Sequence, residues 1–150
     1  MVVGLDVSPR MIELAKTLAT QLRQAQSCLF LNQNLLDYQT QKSFDGVIAL
    51  GFFDYIADPC AVLRRIRGLT AGQLVASFPA LFALRVPFRK AWLASRGCPV
   101  RFYTGHEVRT LCGKAGFACK SLIRKGPIYL LAATPVGDTA RASPTFNPVA

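Results

Sequence analysis

Read from residue 1, the chain alternates short apolar runs with stretches whose apolar positions return every third or fourth residue. Val2-Val3-Gly4-Leu5 ends in Asp6, and Ser8-Pro9 then supplies a helix cap and a first-turn proline. Met11, Ile12, Leu14, Ala15, Leu18, Ala19 and Leu22 fall at helical spacing, which predicts a strand followed by an amphipathic helix from about Pro9 to Ala25. Cys28-Leu29-Phe30-Leu31 reads as a second strand, and a stretch of Asn and Gln leads into Leu35-Leu36-Asp37-Tyr38. Phe44 to Leu50 is nearly continuous in apolar residues, the pattern of a third strand covered on both faces. Asp58-Pro59 opens a helix with Val62, Leu63 and Ile66 inward and Arg64, Arg65 and Arg67 outward, ended by Gly68 and Gly72. Leu74 to Phe78 is a fourth strand. Thr104 and Glu107 have capping-box spacing and begin a helix to about Ala115. Gly116-Phe117 turns into a strand through about Ile123, and Pro127 precedes a last strand, Ile128 to Ala133.

Strands alternating with helices on this rhythm predict an α/β domain over residues 1–134, its sheet mostly parallel with an antiparallel hairpin at the C-terminal end. Residues 80–101 depart from the rhythm, with Phe82, Phe88 and Trp92 interleaved among Arg85, Arg89, Lys90 and Arg96. Residues 135–150 are rich in Pro, Gly, Ser, Thr and Ala and read as a flexible tail.

Composition narrows the class. A chain of 150 residues, 51% hydrophobic and 17% charged, can bury a core, which excludes disorder and a coiled coil. The formal charge of +10 is unevenly spread, with residues 1–58 at −2 and residues 59–137 at +12. An anionic partner is therefore expected for the second half. Five cysteines without a Cys-x-x-Cys pair, and the single His106, lack the spacing of a structural zinc site, so no metal is expected. They read as reduced, mostly buried cysteines of a cytoplasmic chain. Asp6 and Arg10 interrupt any leader-like start. The longest uncharged run, Gly68 to Leu84, contains Gly72, Gln73, Ser77 and Pro79 and is too short and polar to span a bilayer, which leaves a soluble or peripheral protein.

The order of elements and four local motifs resemble the class I, Rossmann-like S-adenosylmethionine-dependent methyltransferases. The first motif is Val3-Gly4-Leu5-Asp6-Val7-Ser8-Pro9-Arg10-Met11. The resemblance implies that Asp6, with Val7 beside it, takes the cofactor ribose hydroxyls, since a carboxylate beyond a strand end accepts two hydrogen bonds from a vicinal diol. It also places Met11 against the adenine side. In the turn after Leu31, it implies Asn34 for the adenine amino group and the Leu35 N–H for a ring nitrogen. The third motif runs from Phe44 through Leu50-Gly51-Phe52 to Asp58-Pro59. It resembles the loop beneath the methionine part of the cofactor, with Phe52, Phe53 and Tyr55 near the transferable methyl. The fourth is Cys98-Pro99-Val100-Arg101-Phe102-Tyr103, a helix, and Ala115-Gly116-Phe117. This wording is similar to the branch that methylates magnesium-protoporphyrin and other small molecules.

One family element has no counterpart. The glycine-rich turn after the family's first strand, where backbone N–H groups approach the cofactor, does not occur, and the chain opens at what matches the second strand. The family's strand order, 3-2-1-4-5-7-6, puts the unmatched strand in the middle of the sheet. Three outcomes are expected to compete: a fragment of a longer reading frame, which reads most naturally from Met1-Val2-Val3; direct pairing of the flanking strands; or a strand from another chain, with self-association through the gap.

The resemblance implies methyl transfer from S-adenosylmethionine to a small, anionic or lipophilic acceptor. Residues 80–101 read either as a helix packing Phe88 and Trp92 on the body or as an acceptor cap in which Arg85, Arg89, Trp92 and Arg96 meet carboxylates, phosphates or an anionic membrane surface. Nucleic acid is disfavoured, because no recognition motif or stacking platform is present. His106 and Tyr55 are the weak candidates for acid-base work, and methyl transfer from a sulfonium needs little. The competing readings are a non-catalytic remnant or association module and, behind it, a nicotinamide-binding oxidoreductase fragment.

Overall fold

The computed structural model describes residues 1–81 and 101–137. Two compact units divide at Gln41 and Lys42. The cap-like stretch with Arg85, Arg89, Trp92 and Arg96, Cys98, and the tail from residue 138 lie outside the described residues.

In the first unit, β1 (Val2–Asp6) pairs in parallel with β2 (Cys28–Asn32), from Val2 opposite Cys28 to Asp6 opposite Asn32. Helix α1 (Pro9–Gln21) crosses between them. It begins where Ser8-Pro9 requires, with Ser8 Oγ accepting from the Met11 N–H at 3.4 Å. It ends four residues earlier than its periodicity suggests. Leu22 is the cap, and Arg23 adopts φ +56°, which no helix interior accommodates. Ile12 and Ala19 are buried, whereas Met11, Leu14, Leu18 and Leu22 of the same apolar pattern are exposed.

The second unit is a four-stranded sheet in the order β3 (Phe44–Ala49), β4 (Thr70–Pro79), β6 (Ile128–Pro135), β5 (Phe117–Lys125). β3 and β4 are parallel, while β6 runs antiparallel to both β4 and β5, so the expected C-terminal hairpin is present with β5 at the edge. β1 and β2 form the sheet of the first unit, and β3, β4, β6 and β5 that of the second. Helix α2 (Pro59–Leu69) is capped by Asp58, whose Oδ1 accepts from Cys60 and Ala61 N–H groups at 3.0 Å each. Helix α3 (Gly105–Lys114) carries the capping box.

The core of this unit is built from Leu63 and Ile66 of α2, Leu74 and Phe78 of β4, Val108 and Cys112 of α3, Phe117 and Leu131, with Phe53 and Tyr103 from loops. Several expectations change here. Gly72 does not follow a helix end but lies inside β4, at a register shift against β3, where a Cβ would collide with the Asp45 carbonyl. Ile48 is 74% exposed, so β3 is not covered on both faces along its length. Arg67 does not point to solvent: its guanidinium donates to the carbonyls of Gly116, Val136 and Gly137 at 3.0–3.1 Å, tying α2 to both ends of the hairpin. Of the described cysteines only Cys112 is buried; Cys28, Cys60 and Cys119 are half-exposed, and all four are free thiols. Burial pushes the Cys112 thiol up to about 11. Among the described residues, no helix is long and apolar enough to cross a membrane.

The capping box makes one pH prediction. Glu107 Oε2 accepts from the Thr104 N–H at 2.6 Å and from its hydroxyl at 2.8 Å, and these bonds hold the Glu107 carboxyl below the ordinary carboxylate value. The folded state therefore gains stability above the unfolded-state value and loses it as pH falls through the folded one. Glu107→Gln is expected to cost about 0.5 kcal/mol at neutral pH, allowing for exposure, with the difference vanishing in acid. Melting curves of both proteins from pH 7 to pH 3 check this, and a gap that widens in acid would contradict it.

Candidate functional site

The first unit places its polar groups at the carboxyl ends of two parallel strands, where open α/β sheets present ligand-binding crevices. Asp6 ends β1 and is half-buried. Its backbone carbonyl accepts from the Gln33 N–H at 3.1 Å and from Asn32 Nδ2 at 3.0 Å. Its Oδ1 accepts from the Ser8 N–H at 2.7 Å, a bond that fixes the plane of the carboxylate. Among the described residues Oδ2 has no partner, so a held carboxylate keeps accepting capacity for a ligand. Val7 and Met11 beside it are 68% and 51% exposed.

Asn34 starts the turn after β2. Its Oδ1 accepts from the Leu36 N–H at 3.0 Å, and its carbonyl accepts from the Asp37 and Tyr38 N–H groups at 3.1 Å each. This turn leaves the Leu35 N–H without a partner among the described residues, as a contact to a ring nitrogen requires. The bond to Leu36 also decides the amide orientation of Asn34, because an N–H needs the oxygen facing it. Its NH₂ and the second lone pair of Oδ1 are left without a partner among the described residues.

In the second unit the loop from Leu50 to Asp58 follows β3 and precedes α2. Leu50 is exposed, Gly51 takes a left-handed φ of +66°, and the Gly51 N–H donates to Ser77 Oγ of β4 at 2.8 Å. Farther along, the Phe53 carbonyl accepts from Tyr103 Oη at 3.2 Å, the Asp54 carbonyl from the Arg101 N–H at 2.9 Å, and the Ala57 carbonyl from Arg101 Nη1 at 3.3 Å. The Arg101 guanidinium also stands 5.3 Å over the Tyr103 ring. Burial pushes the Tyr103 phenol up to about 12, so at any physiological pH it is the neutral donor that the Phe53 carbonyl needs.

The aromatic residues of this loop divide. Phe53 is fully buried, stacked on Phe78 at 4.4 Å and edge-on to Phe52 at 5.4 Å. It presents no surface to an acceptor, which corrects its assignment as a substrate contact: its ring belongs to the core. Phe52 is half-buried and Tyr55 is 55% exposed, so these two keep accessible surface. His106 lies exposed in the first turn of α3. Ser77, Arg101 and Tyr103 were not singled out by the motifs as loop supports. The lone hydroxyl of Ser77 in the apolar run Leu74-Val75-Ala76-Ser77-Phe78 is visible in the sequence, but nothing there names its partner.

Comparison with known proteins gives the fold. The chain has the class I methyltransferase fold, with a mixed sheet whose order β3-β4-β6-β5 reproduces the second half of that family's arrangement. Residues 1–72 match the family described as Methyltransferase domain. Among solved structures, magnesium protoporphyrin IX methyltransferase from Synechocystis PCC 6803 with bound SAH aligns with a TM-score of 0.72 at 20% identity, over 90% of this chain and 64% of that one. Mitomycin 7-O-methyltransferase aligns at 0.73 and 17% identity, over 89% of this chain and 41% of its own. An O-methyltransferase family protein from Burkholderia thailandensis aligns at 0.69 and 17% identity, over 90% and 42%. The chain thus spans less than two thirds of these neighbours. No curated protein sequence matches it.

Proposed function

We propose that this chain serves S-adenosylmethionine-dependent methyl transfer to a small-molecule acceptor. The carrying observation is Asp6: a carboxylate at the end of a parallel strand, held by the Ser8 N–H at 2.7 Å, with its second oxygen open to a ribose diol. Asp6, Val7, Met11, Asn34 and Leu35, all in the first unit, are assigned to the nucleoside. When bound, S-adenosylmethionine supplies an electrophilic methyl group on a sulfonium. The chain's residues then bind, orient and exclude water, and a nucleophilic acceptor in line with the methyl needs little further help. The described residues fit this role at the nucleoside end, where an accepting carboxylate oxygen and a free N–H coexist.

Titration calorimetry of the full chain with S-adenosylhomocysteine tests the proposal. A folded chain with no heat at millimolar ligand removes an autonomous enzyme and leaves the non-catalytic remnant. The association-module reading draws on the exposed Ile48 of β3, and light scattering that finds a folded monomer removes it.

The basic second half suits an anionic or lipophilic acceptor, with a peripheral contact to anionic lipid as a related consequence. Replacing Arg85, Arg89 and Arg96 together by Gln is expected to weaken binding of protoporphyrin, used as a carboxylated probe, and of anionic vesicles by about tenfold. Affinity for S-adenosylhomocysteine should stay within about twofold. Equal losses for all three ligands would refute selection of the acceptor by these side chains.

A further inference from the structure

A cavity of about 310 Å³ lies within the first unit, walled by the last turns of α1, the 3₁₀ turn Ala25–Ser27 and the first residues of β2. Cys28 opens β2 whereas Asn34 lies beyond its far end, and the strand between, Cys28 to Asn32, runs about 13 Å. The cavity is therefore separate from the residues assigned to the nucleoside. The chain opens it where α1 stops: Arg23 turns with φ +56°, and the small side chains of Ala19 and Ala25 leave space that larger ones would fill. Phe30 gives a firm wall, because its ring lies across Gly4, where a Cβ would come within 2.7 Å of it. The volume is about twice the ~150 Å³ that holds benzene, enough for an aryl group with a short side chain.

Most polar atoms in these walls are already engaged, and those left over are chiefly donors. The Lys16 carbonyl accepts from Thr20 Oγ1 at 2.9 Å, which commits the one proton of that hydroxyl. The Ala19 and Thr20 carbonyls accept from the N–H groups of Gln24 and Arg23 at 2.7 and 3.0 Å, and the Ala25 carbonyl from the Cys28 N–H. The Lys16 ammonium and the Cys28 thiol have no partner among the described residues. Apolar walls with a cation and an S–H free to donate match an anion on an apolar body, and they mismatch a second cation. We propose that this cavity binds a small amphipathic monocarboxylate, its carboxylate on Lys16 and its apolar body against Ala19, Ala25 and Phe30. The site is independent of the function proposed above.

The probe is 3-phenylpropionate, with 3-phenylpropanol as its uncharged control, both titrated into the full chain. Amide NMR is expected to show the carboxylate binding at about 1 mM or tighter, with shifts gathered at Lys16, Thr20, Ala25 and Cys28, and the alcohol binding about tenfold more weakly. Lys16→Met keeps an apolar stem without the charge and is expected to bring the carboxylate down to the level of the alcohol, while Lys16→Arg stays within about threefold of wild type. Cys28 gives an independent readout. Saturating carboxylate is expected to slow its alkylation by N-ethylmaleimide, whereas Cys60 and Cys119, also half-exposed, react at their unliganded rates. Folded wild type without shifts at about 10 mM probe overturns the site, as do shifts centred on Asp6 and Asn34 or an unprotected Cys28. Wild-type affinity in Lys16→Met overturns the role of the charge and the proposal with it. Should Lys16→Met fail to fold, equal binding of acid and alcohol to wild type overturns the proposal in the same way.

Discussion

Asp6→Asn is expected to weaken adenosine and S-adenosylhomocysteine binding about a hundredfold, the largest single effect on any ligand of this chain. The carboxylate offers a vicinal diol two charge-assisted hydrogen bonds, each worth about 1.5–3 kcal/mol. One oxygen is already oriented by the Ser8 N–H at 2.7 Å, so the group is pre-arranged before any ligand arrives. An amide keeps one neutral oxygen, which the Ser8 N–H claims, and turns an NH₂ toward the diol where acceptor capacity was needed. Fold stability should change little, since Asp6 is half-buried and its backbone bonds to residues 32 and 33 survive. The measurement is calorimetry of both proteins with adenosine, 2′-deoxyadenosine and 3′-deoxyadenosine. Wild type is expected to lose affinity for each deoxy ligand, and the variant to be nearly indifferent. A variant that still discriminates as wild type does would show that the diol is read elsewhere.

The largest stability effect is expected at Phe78. It lies on β4, flanked by β3 and β6, with its ring fully buried, stacked on Phe53 at 4.4 Å and edge-on to Tyr103 at 5.2 Å. Phe78→Ala deletes the member that the other two rings share, and both the lost burial and the remaining cavity contribute, about 3–5 kcal/mol together. Tyr103→Phe keeps the packing and removes only the bond to the Phe53 carbonyl, about 1 kcal/mol. Urea titration of the three proteins at equal slope separates these losses by their midpoints. A Phe78→Ala midpoint no lower than that of Tyr103→Phe would show that the aromatic cluster does not carry the core of this unit.

The starts of the helices were legible because each is decided within four residues. Ser8-Pro9, Asp58-Pro59 and Thr104 with Glu107 satisfy the first free N–H groups of their own helices, and α1, α2 and α3 begin at residues 9, 59 and 105. Ends were less legible. Leu22 continues the apolar period of α1, yet the chain turns at Arg23, and periodicity carries no information about that dihedral. β4 runs from Thr70 to Pro79, beyond the apolar run Leu74–Phe78, because its length is set by partners on both sides.

The candidate site divides in the same way. Asp6, Asn34 and Gly51 stand out as polar or glycine residues at strand ends, and resemblance to a family gave each a role. Their supports do not stand out. Ser77 lies 26 residues from Gly51, and Tyr103 lies 50 from Phe53, so neither pairing has a local signature. Phe53 shows the reverse error, an aromatic residue placed at the acceptor by its neighbourhood in sequence and withdrawn into the core by Phe78 and Tyr103.

By itself the sequence determined the order of strands and helices, their caps, and the concentration of +12 net charge in residues 59–137, because these follow from spacing, local hydrogen bonding and counting. Tertiary structure alone decided how that charge is used at two of its members. Arg67 and Arg101 each donate to carbonyls of distant segments, Gly116, Val136 and Gly137 for the half-buried Arg67 and Ala57 for the exposed Arg101. A charged side chain advertises its sign in the sequence, but which acceptors it meets depends on segments that only folding brings within 3 Å or so.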